Sequence, residues 1–225
     1  MSVYTTVAPD QLALWLAPLG VGAPGTLTGI AAGMQNSNYF VTAGGRPWVL
    51  TLFEHLAPRD LDFYLAFQDH LAVRAIPCPR PLATADGRFW RPLAGKPAAL
   101  FNCLPGECIE APTAAHCRTL GAMLARLHLA GADFPSPLPN PCGHDWRERT
   151  GRRLAPALPA DERGRLRAEL DFQAAQDYSE LPRGIIHGDL FRDNVLWQAS
   201  GELSGVLDFY FAGAASLLFD LAVVA

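Results

Sequence analysis

Residues 187–197 read His-Gly-Asp-Leu-Phe-Arg-Asp-Asn-Val-Leu-Trp, and Gly205-Val206-Leu207-Asp208-Phe209 follows after a short gap. Val195-Leu196-Trp197 and Val206-Leu207 have the composition of short strands, and Ala199-Ser200-Gly201-Glu202 has that of the turn between them. A hairpin here brings Asn194 and Asp208 to one end, where a single cation can bridge an amide oxygen and a carboxylate. Both are hard oxygen donors, which suits Mg²⁺ better than zinc. Asp189 adds a carboxylate able to accept a hydroxyl proton. Phosphoryl transfer asks for such a set, because the protein must position an acceptor hydroxyl and balance phosphate charge rather than supply covalent chemistry.

His-x-Asp-x-x-x-x-Asn followed by a strand ending in Asp resembles the aminoglycoside phosphotransferase and choline kinase superfamily, which shares the protein kinase fold. Gly188 stands where protein kinases carry the Arg that reads a phosphorylated activation loop, and Tyr210 follows Phe209 where they carry Gly. Both departures point to a small-molecule kinase. Gly29–Val41, Trp48–Glu54, Ile76–Pro81 and Ala99–Gly106 extend the match. Their succession, from about Tyr4 to Ala222, resembles bacterial homoserine kinases of the phosphotransferase-like type.

The resemblance implies an α+β, protein kinase-like two-lobed fold. A small lobe, residues 1–105, carries a five-stranded antiparallel sheet and a helix; a mostly helical large lobe, residues 106–225, carries the catalytic loop and metal site. It makes Asp189 the catalytic base, and Asn194 and Asp208 the Mg²⁺ ligands. It gives the ATP phosphates to the turn around Gly33, Ser37 and Asn38, and adenine to the hinge at Phe101 and Cys103. L-homoserine is the implied acceptor, with the product entering threonine biosynthesis. An aminoglycoside, choline or thiosugar kinase of the same superfamily, or a non-catalytic nucleotide-binding fragment, are the alternatives.

Thr51 occupies the strand position where kinases usually carry a Lys paired with a helix Glu. The neighbouring helix offers Asp62 and Asp69 without an evident Glu. The resembled homoserine kinases share this Thr. The phosphate contact is then open, with Arg59 or Arg192 as candidates. Asp220 resembles the superfamily's buried Asp that holds the catalytic loop, so backbone amides of residues 187–189 are its expected partners. His187 is expected to support that loop, and His128 to be a satisfied core histidine.

Half of the 225 residues are hydrophobic and 18% are charged, which excludes a disordered chain. A net charge of −4 without a basic run gives no sign of a nucleic-acid partner, and Lys96 is the only lysine. No basic segment precedes an apolar run at the N-terminus, and no run is long enough for a membrane span. Five cysteines without a Cys-x-x-Cys pair read as reduced thiols in the cytoplasm. The chain stops at Val223-Val224-Ala225 inside an apolar run, which suggests that C-terminal helices completing the large lobe are missing.

Periodicity predicts helices over 8–19, 59–74, 113–128 and 160–178, with 132–145 as loop. It predicts a hairpin around Ala43-Gly44-Gly45-Arg46 and two strands within 82–102 around Ala85-Asp86-Gly87.

Overall fold

The computed structural model describes residues 3–31, 33, 35–135, 137–176 and 178–225. Ala32 and Met34 of the expected phosphate turn lie outside the described residues, as do Ser2, Ser136 and Asp177. The amino-terminal part is a five-stranded antiparallel sheet of order β1-β2-β3-β5-β4: β1 (Pro24–Gly29), β2 (Asn36–Ala43), β3 (Arg46–Phe53), β4 (Arg91–Leu93) and β5 (Lys96–Asn102).

Period-two alternation decides what covers each face. Tyr39, Val41, Leu50, Leu52, Ala98 and Leu100 pack against Leu12, Trp15 and Leu16 of α1 (Pro9–Leu16). Phe53, Ala99 and Phe101 turn the other way, onto Leu61 and Leu65 of α2 (Pro58–Val73). Burial on both faces explains why Leu50 to Phe53 are all buried.

One expected turn moves. The β4–β5 hairpin reverses at Ala94 and Gly95, with φ of 50° and 78°, and not at Ala85-Asp86-Gly87. Residues 84–88 make their own small turn, closed by the Thr84 N–H on the Arg88 carbonyl at 2.7 Å. A two-residue reversal with both φ positive matches the twist of the flanking strands, and Gly95 supplies one such position without strain.

Thr113 caps α3 (Ala114–Gly131), accepting the His116 N–H at 3.4 Å, and Met123, Leu124 and Leu127 form its buried face. The large core joins them to Phe63, Phe67 and Leu71 of α2, and to Leu190, Val195, Val206 and Phe209. α4 (His144–Leu154) and α5 (Ala160–Ala174) follow. α4 buries only Gly151 and carries just two large apolar side chains, Trp146 and Leu154, too few for periodicity to mark it.

Two small antiparallel sheets frame the catalytic segment: β6 (Arg183–Ile186) with β9 (Gly213–Ser216), and β7 (Val195–Trp197) with β8 (Leu203–Val206). The second is the expected hairpin; the first was not foreseen. α6 (Leu218–Val224) ends the described chain. No helix among the described residues is long and apolar enough to cross a membrane.

Candidate active site

β6 delivers the chain directly into His187-Gly188-Asp189, and α6 supplies the clamp. The fully buried Asp220 carboxylate accepts the N–H groups of His187 and Gly188, both at 2.8 Å, and the His128 Nε2 at 2.7 Å. Two of the three amides expected for Asp220 are therefore its partners. The third, the Asp189 N–H, instead donates to His187 Nδ1 at 3.2 Å. His187 Nε2 lies 2.8 Å from the Leu207 carbonyl. Burial pulls His187 down to about 4, so it is a neutral support at neutral pH. Gly188 has φ 81°, and a Cβ there would sit 2.5 Å from the Phe211 carbonyl oxygen. The Arg of protein kinases would not fit.

The β7–β8 hairpin performs the expected juxtaposition. The Leu207 N–H donates to the Asn194 carbonyl at 2.9 Å, continuing the Val195–Val206 pairing and setting Asp208 beside Asn194. Asn194 Nδ2 donates to the Asp189 carbonyl at 2.7 Å and to its carboxylate at 3.3 Å. Its Oδ1 has no hydrogen-bond partner among the described residues. Asp208 takes φ 59°, which turns its side chain out of the strand direction.

Burial pushes Asp208 up to about 6, and repulsion from Asp189 adds to the rise. Burial also raises Asp189, opposed by the Asn194 hydrogen bond and helped by Asp193. The described residues place no Lys or Arg in an ion pair with either carboxylate. Two partly buried acids without a counter-charge concentrate negative charge here, an unfavourable arrangement on its own. Among the described residues no three His, Cys, Asp or Glu side chains gather into a metal cage.

The nucleotide side needs one correction and one refinement. Ser37 and Asn38 are adjacent on β2 and so point to opposite faces. Ser37 faces α1: its hydroxyl is fully buried, accepts the N–H groups of Tyr4 and Thr5 at 2.8 and 2.9 Å, and donates to Glu54 at 2.6 Å. It is saturated there, so its hydroxyl is not free for the phosphates expected of it. Asn38 faces α2 opposite Thr51, whose hydroxyl donates to Asn38 Oδ1 at 2.8 Å. Asn38 Nδ2 then reaches the turn, 3.4 Å from where a Cβ on Gly33 would stand. Gly33 has φ 96°, a conformation suited to glycine. Gly29 is small for another reason, since a Cβ there would meet Val3 at 2.9 Å.

Phe101 is a sheet residue, paired with Val49 and bridged to Pro81, with its ring in the α2 core. Its ring is engaged in that core, and an adenine contact at Phe101 would be a backbone one. Pairing ends at Asn102, so Cys103 is the first hinge residue beyond the sheet. The hinge is laced to the metal hairpin: Glu107 and Trp197 exchange backbone hydrogen bonds at 3.0 and 2.9 Å, and Ser204 donates to the Pro105 carbonyl at 2.6 Å.

Neither arginine considered for the phosphates is poised there. Arg59 pairs with Asp60 at 3.4 Å, and Arg192 donates to the Glu110 carbonyl at 2.9 Å. The only lysine pairs with Glu54 at 3.0 Å, on the face away from Thr51. Burial would raise the Glu54 carboxyl, but Ser37 and Lys96 overcome this and hold it below its ordinary value. Asp62 and Asp69 are engaged with Trp90 and Arg80.

Comparison with known proteins agrees with this geometry. The profile of the phosphotransferase enzyme family matches residues 26–225. A homoserine kinase of Methylobacillus flagellatus is 44% identical over 99% of this chain and 70% of its own length. One of Cupriavidus taiwanensis is 46% identical with the same coverage. Among solved structures, a spectinomycin phosphotransferase bound to ADP and spectinomycin superposes with a TM-score of 0.70 at 15% identity, covering 96% of this chain and 72% of that one. A macrolide 2'-phosphotransferase gives 0.62 at 20% identity, covering 99% and 78%. These two show a shared kinase-like fold. From the site and the relatives together, the chain belongs to the phosphotransferase enzyme family.

Proposed function

We propose that this chain transfers the γ-phosphoryl group of ATP to the hydroxyl of L-homoserine, giving O-phospho-L-homoserine for threonine formation. The observation that carries it is Asp189, held by the Asp220-clamped loop and by Asn194, beside the unpaired Asp208. The homoserine kinases that match almost the whole chain at 44–46% identity support the choice of acceptor.

Asp189 orients the acceptor hydroxyl and takes its proton as the new O–P bond forms. The same Asn194 side chain that fixes Asp189 keeps its Oδ1 for Mg²⁺, with Asp208 as the second ligand. When bound there, Mg²⁺ neutralises charge on the phosphates. Asn38 donates to the phosphates over Gly33. The backbone at Cys103 meets the adenine edge. The lobes, 1–105 and 106–225, meet at Gly106, whose φ of 111° lets the hinge press against the β7–β8 hairpin. Five free cysteines support a reducing cytoplasmic setting.

The test is ADP release by the purified chain with Mg·ATP, offering L-homoserine, choline, an aminoglycoside and a thiosugar, with Asp189→Asn as control. Turnover with homoserine alone is expected. Turnover with another acceptor and none with homoserine would overturn the assignment.

A further inference from the structure

A cavity of about 1100 Å³ lies between the loop before α4, the first turns of α4, and β9 with α6. Its wall is built from the same strands as the catalytic loop. The loop docks on β9 through the Ala214 N–H on the Leu138 carbonyl at 2.7 Å and the Asn140 N–H on the Ala214 carbonyl at 3.4 Å. Gly213 permits this, since a Cβ there would meet the Asn140 backbone at 2.8 Å. β9 pairs with β6 as far as Gly213 opposite Ile186, the residue before His187. The β9 wall of the cavity is therefore paired to the strand that runs into the catalytic loop.

Arg147 lines this cavity from the first turn of α4, and its Nε is buried without any hydrogen-bond partner. No carboxylate among the described residues pairs with it. A guanidinium presents planar donors that match a carboxylate, and a buried one left unmatched is an unfavourable arrangement that a ligand can relieve. Cys142 follows the docked Asn140, whose Oδ1 accepts its N–H at 2.9 Å. Burial raises its thiol, Asp189 raises it further, and Arg147 opposes the rise. The lining holds four arginines (Arg59, Arg147, Arg149 and Arg183) against Asp60, Asp145 and Glu169. That balance disfavours a polycationic acceptor and favours one with an anionic end.

We propose that Arg147 receives the carboxylate of the acceptor, so that the substrate class is a small hydroxy carboxylate whose hydroxyl reaches Asp189 while its acid end is held at α4. This rests on the kinase reading above and adds to it the residue that selects an acid over a neutral or cationic alcohol. Arg147 is a binding residue here, and the proton transfer stays with Asp189.

Calorimetric titration of the full chain, in the presence of Mg²⁺ and a non-hydrolysable ATP analogue, would compare L-homoserine with its carboxamide, which keeps size and hydroxyl but loses the charge. The wild type is expected to bind the acid at least tenfold more tightly than the amide. Arg147→Gln should weaken acid binding by that factor and leave the amide unchanged. Arg149→Gln should keep the preference, and Arg147→Lys should recover part of it. A preference that survives in a folded Arg147→Gln chain would overturn the proposal, as would a wild type blind to the charge. If homoserine failed to bind while 4-hydroxybutanoate bound through Arg147, the carboxylate subsite would stand and the homoserine assignment would fall. ADP release with homoserine but no Arg147 effect would leave the opposite result.

Discussion

The Thr51 hydroxyl donates to Asn38 Oδ1 at 2.8 Å across the β2–β3 ladder, and this turns the Asn38 amide nitrogen toward Gly33. A neutral pair thus occupies the place where related folds set a lysine. Thr51→Val keeps shape and burial but frees the amide to rotate. One ordinary hydrogen bond is worth about 1 kcal/mol, so the KM for ATP should rise roughly fivefold. Adenosine binding should not change, and Thr51→Ser should behave as wild type. An equal loss for adenosine and ATP would mean that Thr51 serves the sheet and not the phosphates.

Asp189→Asn removes the proton acceptor while retaining the shape of the side chain. Turnover with homoserine should fall by a factor on the order of 10²–10⁴, the usual contribution of a positioned general base. Nucleotide affinity, measured by titration with ADP, should stay within about twofold. Turnover within tenfold of wild type would remove Asp189 from this role.

Asp220→Ala leaves two buried N–H groups and His128 without their acceptor. Loss of one partner from a buried, charged network costs about 3–5 kcal/mol, so the urea midpoint should drop accordingly. Asp220→Asn should cost less, because one oxygen still accepts. Unchanged stability in the alanine variant would show that the clamp contributes little to folding.

Asp208 titrates near 6 in the folded chain, against about 3.9 when unfolded. Between those values the folded state holds a proton that the unfolded state has lost. Asp208 therefore weakens the fold progressively as pH rises from 4 to 6, and above 6 its buried charge costs ~3 kcal/mol. His187, near 4 when folded and about 6.5 when unfolded, has the opposite sign in the same range. The wild-type profile alone would blur the two. The difference between wild type and Asp208→Asn isolates the carboxylate: without Mg²⁺, the variant should be more stable by up to ~3 kcal/mol at pH 8 and no more stable at pH 4. A difference independent of pH would sink the argument.

Much of the site was legible because its chemistry is local in sequence. Asn194 and Asp208 flank one hairpin, whose turn residues alone predict their meeting, while Asp189 was placed by the spacing it shares with the kinase catalytic loop. Asp220 was legible through resemblance, although its partner His128 is 92 residues away. Ser37 was misread because a loop reading ignores strand parity: extending β2 back to Asn36 sends Ser37 and Asn38 to opposite faces. Phe101 was assigned to the hinge because an apolar run does not show where pairing stops. α4, with Arg147, gave no signal, since Trp146 and Leu154 are its only large apolar side chains and lie eight residues apart, too few to announce a period.

The Asp220 clamp also has a consequence for synthesis. Asp220 follows His187 by 33 residues, and it alone fixes the amides of His187 and Gly188. During translation the sheet, the hinge and α3 leave the ribosome first and can pack before α6 exists. The loop bearing Asp189 must wait for the last helix described here to arrive. A nascent chain would thus complete its amino-terminal sheet before the loop bearing Asp189 is locked.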